Sequence, residues 1–398
     1  MLIIIVPQKA GRSLAPAAIH LFGAFTPLPV RRVTDVSGSE TYLLLLYIRI
    51  HHASVAAMTQ RRPTSFDIAA LAGVSQPTVS RALSGSPSVS EETRARVVAA
   101  AEQLHYTVDR NASGLRRRQS RTLALLFFDE AAEGAAINPF YLSLLGPMVR
   151  CCAARGYDLL ISFQQLSSDW HVDYEDSRKA DGIVLLGYGD YIEYRPKLET
   201  LIERGTHYVR WGTAGERELG ATVSCDNEQG GFDAVTHLLR EGRRRIAFVG
   251  TVDPGYPEFL DRWNGYRRAL HAAGIEQDER LQVDADPSET AGRTAVERLL
   301  ARGADFDAVF ASSDVAAIGV MHALQAMGRR VPEDVAVVGF DDIPAASLSS
   351  PPLTTVAQDP KQAAEALIDA VLSSVEGGNA RSRVLPVRLT VRESSVAR

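Results

Sequence analysis

The chain has 398 residues, 45% hydrophobic, 23% charged and 7% aromatic, with a formal net charge of -5. That is enough length and apolar content for two or three domains with a sizeable core. Three cysteines, two of them adjacent as Cys151-Cys152 and none in C-x-x-C spacing, exclude a disulfide framework and a zinc or redox motif, and fit a reducing compartment.

Residues 1–57 mix the apolar runs MLIIIV and YLLLLYI with breakers at Pro27, Pro29 and Ser37-Gly38-Ser39, and sustain no period. Both runs are far shorter than the ~20 residues of a membrane helix, and no basic stretch precedes the first as a secretion signal requires. No targeting or membrane segment is expected.

Thr64 to Gly85, TSFDIAALAGVSQPTVSRALSG, has the residue order of a helix, a tight turn and a second helix. Thr64 or Ser65 caps the first, whose Ile68, Leu71 and Ala72 are expected to face a core, and Gly73 supplies the turn. Ser75 caps the second helix, Pro77 is tolerated in its first turn, and Val79 and Leu83 give it one buried stripe. Gln76, Pro77, Thr78 and Arg81 remain outward near its N-terminal end, where a recognition helix meets the bases of a DNA groove. Gly85-Ser86-Pro87 forms a loop, and Ser90 then caps a third helix with Glu91 and Glu92 in its first turn and Val97, Ala101 and Leu104 inward.

Charge is unevenly placed. Residues 58–121 carry ten arginines against five acidic residues, whereas residues 122–398 carry 28 basic against 41 acidic. A basic end on an acidic body confines polyanion contact to that end. From Arg121 the runs LALLFF, DLLISF, DGIVLL, HYVRW, RRIAFVG, DAVFAS and DVAVVGF alternate with helical stretches, which implies parallel sheets of βαβ units. The break near Cys225-Asp226-Asn227 divides them into two. In such sheets ligands bind beyond the carboxyl ends of strands, which here brings forward Phe140, Trp211, Asp314 and Asp341.

These motifs resemble the lactose-repressor/galactose-repressor family of bacterial transcriptional regulators. The headpiece signature is present as Thr64, Asp67-Ile68-Ala69, Ala72-Gly73-Val74-Ser75, Thr78-Val79-Ser80-Arg81 and Leu83. The resemblance continues through NPFY (residues 138–141), DGIVLL, Asp226-Asn227, FASSDVAAIG, VPEDVAVVGFDD, PLTTV and RLTVRESS. It implies an α/β chain: a small all-α helix-turn-helix headpiece (58–108), a hinge (109–121) and a two-lobed body resembling periplasmic sugar-binding proteins with parallel sheets (122–398), which binds effector and dimerises. In the family the headpiece lies at the N-terminus, so Met58 is the expected start and residues 1–57 are expected to be a spurious or disordered extension.

The resemblance also implies roles. Thr64, Ser65, Ser75, Gln76, Pro77, Thr78 and Arg81 form the DNA-binding set, with Leu115 as a minor-groove wedge and Arg116 on phosphate. Arg262 of DRWNG and Asp341 match the family's effector contacts, with Asp314 beside them and Phe140 or Trp211 stacking on a sugar ring. Two departures stand out: Ser313 replaces the family's usual asparagine, and Arg243 its usual histidine.

No nucleophile elbow, phosphate loop, zinc-protease or complete dinucleotide signature occurs. The expected protein is therefore not an enzyme and needs no cofactor or metal. It is a cytoplasmic homodimeric repressor, bound to a palindromic double-stranded operator and controlled by a small effector, a sugar. A sugar-binding protein or a sugar-modifying enzyme without a transcriptional role is the alternative.

Overall fold

A computed structural model describes residues 3–6, 31–34, 40–45, 63–106, 119–128, 137–187, 189–213 and 219–396. The chain divides into two compact units, residues 1–108 and 109–398. In the first, strands β1 (Ile3–Val6), β2 (Arg31–Thr34) and β3 (Glu40–Leu45) form an antiparallel sheet in the order β1-β3-β2. The short apolar runs of a segment that sustains no period over its whole length thus supply β1 and most of β3.

The headpiece is three helices, α1 (Ser65–Ala72), α2 (Gln76–Leu83) and α3 (Glu91–Gln103). Thr64 is the N-cap of α1, and the Asp67 carboxylate accepts from its N–H and its hydroxyl, both at 2.7 Å. Gly73, at φ 63°, ends the helix in the left-handed region open to glycine. Ser75 and Ser90 cap the next two helices, accepting from the N–H of Thr78 and Thr93.

Ile68, Ala69 and Ala72 meet Val79 and Ala82 of α2 and Val97, Ala100 and Ala101 of α3 in one small core. Leu71, expected inward, is instead 47% exposed. The stripe at 68, 69 and 72 already fills the face that α1 turns to its partners, and Leu71 lies about 100° round the helix from its centre. Ala82 likewise takes the fully buried place given to Leu83, which is half-buried. Arg94 fastens the turn after α2, donating to the carbonyls of Ala82 and Ser86 at 2.9 Å each.

The body contains two six-stranded sheets. The first runs β14-β8-β7-β6-β4-β5, from β4 (Thr122–Phe127), β5 (Asp158–Phe163), β6 (Gly182–Leu186), β7 (Tyr208–Trp211), β8 (Ala221–Cys225) and β14 (Arg383–Leu385), all parallel. The second runs β10-β9-β11-β12-β13-β15, from β9 (Ile246–Val249), β10 (Gln282–Val283), β11 (Ala308–Ala311), β12 (Ala336–Asp341), β13 (Thr354–Ala357) and β15 (Arg388–Thr390); only β15 is antiparallel. Every residue of β6, β9, β11 and β12 is buried, the mark of parallel strands covered on both faces.

Helices α4 (Pro139–Ala154) and α5 (Tyr191–Glu203) follow strands of the first sheet, and α6 (Asn227–Arg240), α7 (Pro257–Ala272), α8 (Glu289–Ala301), α9 (Asp314–Ala326) and α10 (Pro344–Leu348) belong to the second. The chain passes between lobes three times. It leaves the first after β8, at the break read from sequence, returns with α11 (Pro360–Val375) and β14, and crosses again to β15. The crossings therefore lie at the carboxyl ends of the parallel strands of both sheets.

Candidate functional site

On the headpiece, Pro77 and Arg81 are exposed one turn apart on α2, on the side away from buried Val79. Gln76 is held in place, donating through Nε2 to the Ser65 hydroxyl at 3.1 Å. Ser75 and Thr78 share a hydroxyl contact of 2.8 Å, and Arg81 folds back to the Pro77 carbonyl at 3.3 Å. Thr64, Ser65, Ser75, Gln76, Pro77 and Thr78 thus stand at the starts of α1 and α2, while Arg81 lies in the last turn of α2 rather than near its N-terminal end. Leu115 and Arg116 lie outside the described residues.

In the body, Arg262 on α7 and Asp341 at the end of β12 come together as a pair 3.6 Å apart, with the two residues 6% and 5% exposed. Arg262 Nε donates to Asn227 Oδ1 at 2.9 Å, its Nη1 to the Ser312 carbonyl, and its guanidinium lies 3.7 Å from the Phe340 ring centroid. Gln358 Nε2 donates to Asp341 at 2.6 Å. Asp341 holds φ 120°, which side chains rarely adopt, as residues at ligand sites do when their surroundings fix them. Asp342 turns elsewhere, to Arg392 at 2.7 Å, so the adjacent carboxylates do aim apart.

Asp314 does not join this centre as a ligand group. It is 0% exposed, and its oxygens accept from the Thr355 hydroxyl and the Ile343 N–H, which locks the turn after β12. Burial and then the charge of Asp341 push its carboxyl well above the ordinary range. Ser313, the departure beside it, caps α9 through the Ala316 N–H at 3.3 Å. The other departure, Arg243, ties the Asp307, Pro332 and Glu333 carbonyls. Phe140 and Trp211 pack against each other at 5.3 Å between centroids, and both are buried core residues. As folded, both rings are packed into the core rather than presented as an open ring face.

The lobes are bridged by residues to which sequence reading gave no such role. Thr213, after β7, donates through its N–H to Glu258 at 3.0 Å and through its hydroxyl to Asp261 at 3.2 Å, both on α7. Asn227 joins Thr213 to Arg262, and the Tyr191 N–H donates to the Gly255 carbonyl at 2.8 Å. Ser312 Oγ and Gln358 Oε1, both buried, have no hydrogen-bond partner among the described residues. They mark where ligand hydroxyls or water would be received.

Burial pushes the Asp261 carboxyl up to about 6, against the Thr213 hydrogen bond, and burial likewise raises Asp341 to about 6 against Arg262. In the unfolded chain an aspartate ionises near ~3.9. As pH falls through about 6 the folded body takes up a proton that the unfolded chain takes up only nearer 4, so this group's contribution to stability rises. The thermal midpoint of wild type relative to Asp261→Asn is therefore expected to climb between pH 7.5 and 5, read by scanning fluorimetry. A difference that stays flat or falls would contradict the assignment.

A helix-turn-helix unit and a two-lobed body with a buried polar centre at its crossings are the layout of a ligand-responsive DNA-binding regulator. Residues 66–109 match the lacI family of bacterial regulatory proteins and residues 235–395 a periplasmic binding protein-like domain. The chain is 36% identical over 346 residues to the HTH-type transcriptional regulator CelR of Thermobifida fusca, covering 84% of this chain and 99% of that protein. It is 32% identical over 317 residues to the ribose operon repressor of Escherichia coli K12, covering 78% and 93%. The chain belongs to the lacI family of bacterial regulatory proteins. Among solved structures it is similar to a CelR–cellobiose complex, with TM-score 0.63, 34% identity and coverage of 84% and 100%. A lac repressor dimer bound to operator and the anti-inducer ONPF shares the fold, with TM-score 0.72, 24% identity and coverage of 84% and 99%.

Proposed function

We propose that the chain is a cytoplasmic homodimeric repressor of sugar-utilisation genes. Its headpiece reads a palindromic operator, and its cleft takes a saccharide whose binding changes operator affinity. The observation that carries this reading is the buried Arg262–Asp341 centre, ringed by Asn227, Ser312 and Gln358, in the same chain as an exposed groove-reading face. Polyhydroxylated rings match such mixed donors and acceptors, and the similar CelR has been solved with cellobiose. By linkage, whatever the ligand does to operator affinity the operator does to ligand affinity.

The boundaries that go with this reading are headpiece 58–108, hinge 109–121 and body 122–398, with Leu115 wedging the minor groove and Arg116 on phosphate. The cleft binds rather than reacts: Asp314 has both oxygens engaged within its own lobe, and Asp341 is paired with Arg262. Among the described residues no cluster of histidine, cysteine and carboxylates could hold a metal ion, and no helix is long and apolar enough to cross a membrane.

Selection from a random duplex pool tests the proposal, since a two-fold dimer should enrich paired half-sites. Arg81→Ala should then cost about 1–3 kcal/mol and relax one base position in each half-site. A loss spread equally over all sequences would make Arg81 a phosphate clamp instead.

Dimerisation has its own test. The edge strand β5 leaves Leu160 and Ile161 exposed, α4 leaves Leu142 and Val149 exposed, and Leu348 on α10 is 83% exposed. Apolar groups on a sheet edge call for a covering partner. Ile161→Arg with Val149→Arg is expected to give a monomer by light scattering and weaken operator binding by about 100-fold or more as one half-site contact is lost. An intact dimer would move the interface elsewhere.

A further inference from the structure

In α/β bodies an anionic ligand settles on a helix N-terminus at the carboxyl ends of the strands, where unpaired N–H groups and the dipole receive it. Here five of those places already hold carboxylates, α4 with its Asn138 cap being the exception. Asp190 caps α5 through the Ile192 N–H at 2.7 Å, Asp226 caps α6 through the Gln229 N–H at 3.0 Å, and Asp359 caps α11 through the Lys361 and Gln362 N–H groups at 2.9 and 3.1 Å. Glu258 occupies the first turn of α7 and Asp314 the first turn of α9.

The buried cations are engaged as well. Arg262 is balanced by Asp341, and its Nη2 alone makes no hydrogen bond among the described residues. Arg210, 1% exposed at the end of β7, donates to the Thr213 carbonyl at 2.9 Å and lies over the Tyr191 ring.

We propose that this cleft selects an uncharged saccharide and rejects phosphorylated sugars and sugar acids. The proposal rests on the reading of the cleft as a saccharide site and goes beyond it by making charge the discriminating property. A hydroxyl donates to a carboxylate and accepts from Arg262 Nη2, and it suits Ser312 Oγ and Gln358 Oε1, so it completes the site. A phosphate or carboxylate brings negative charge against Glu258, Asp261 and Asp190, and of the long helices that start at these strand ends only α4, capped by neutral Asn138, has no acidic residue in its cap or first turn. Burial lifts Asp261 to about 6, and the neighbouring Glu258 and Glu228 carboxylates push in the same direction.

Calorimetric titration of the full chain tests it with matched probes: glucose, ribose and cellobiose against glucose 6-phosphate, ribose 5-phosphate, gluconate and glucuronate. At least one neutral sugar should bind, with its charged counterpart weaker by about 100-fold or more, the scale of like-charge juxtaposition. A charged counterpart that binds as tightly or tighter overturns the selectivity and leaves the saccharide reading standing. Binding of a nucleoside or amino acid, with no saccharide of either kind, overturns the saccharide reading itself. In Asp190→Asn with Glu258→Gln, which removes charge and keeps cap and shape, the neutral sugar should bind within a few-fold of wild type while the discrimination narrows about tenfold. An unchanged ratio would rule out charge as its cause.

Discussion

Arg262→Ala is expected to abolish the response to ligand and to destabilise the body by roughly 3–5 kcal/mol, the cost of leaving one member of a buried ion pair alone. The loss should fall toward the lower end at pH 6 and below, because Asp341, raised to about 6, escapes by taking a proton. More than the pair is lost: Asn227 Oδ1 and the Ser312 carbonyl lose a donor, and Phe340 loses the cation stacked on it. Asp341→Asn is the gentler partner. It keeps the shape and leaves Arg262 bonded to Asn227 and Ser312, so it should cost less stability yet still remove the acceptor a sugar hydroxyl needs. Both variants should bind operator in a single state that saccharide does not shift, seen by chemical denaturation beside operator titration. Undiminished ligand response in both would remove this pair from the site.

The second large effect is expected from Gly265→Val. A Cβ at Gly265 would meet the Glu228 carbonyl and the Phe232 N–H, and one at Gly231 would meet the carbonyl of Arg262, all well inside contact distance. Helices α6 and α7 therefore touch backbone to backbone, and no side chain can rotate away to make room. Separating them should cost about 1–3 kcal/mol or more, at the upper end because both obstacles are main chain. Arg262 lies one turn before Gly265 on α7, so displacement of the helix carries the guanidinium off Asp341. Denaturation midpoint and ligand affinity should fall together; a variant that loses neither would show that the contact is looser than its geometry.

Particular residues show what a sequence carries to a reader. The headpiece was legible because its signals are local: caps at Thr64, Ser75 and Ser90, glycine at 73, and an inward stripe within one short stretch. Leu71 misled because an eight-residue helix between two neighbours turns a narrow face inward, and which face that is depends on partners distant in the chain. Seven strands of the body announced themselves as apolar runs, and the break at residues 225–227 marked the first crossing. The short strands β10, β14 and β15 carried too few residues for a period to emerge, and β8, ATVSC, is as long as β6 but too mixed in polarity to stand out as an apolar run.

Arg262 and Asp341 were found through motif, and their pairing follows from the fold. Asp314 was brought forward in the same way, from FASSDVAAIG, yet its carboxylate is used to hold a turn, a distinction that only the positions of Thr355 and Ile343 make. Thr213 had no signal, and Asp261 and Asn227 stood inside quoted motifs without a role of their own, since what brings the three together is the passage of the chain between lobes. Phe140 and Trp211 lie at the strand ends where they were sought, but they fill the core there.

The central claim, that one chain couples an operator-reading headpiece to a ligand cleft, is tested most directly by fluorescence anisotropy. The full chain is titrated onto its selected palindromic duplex with and without saturating neutral saccharide. Tight, sequence-dependent binding is expected, with an affinity that the saccharide moves by about 5- to 150-fold, the range of ordinary allosteric coupling, and with no shift in Asp341→Asn. An operator affinity that no saccharide changes, or a protein that holds scrambled duplex as tightly as the palindrome, would contradict it.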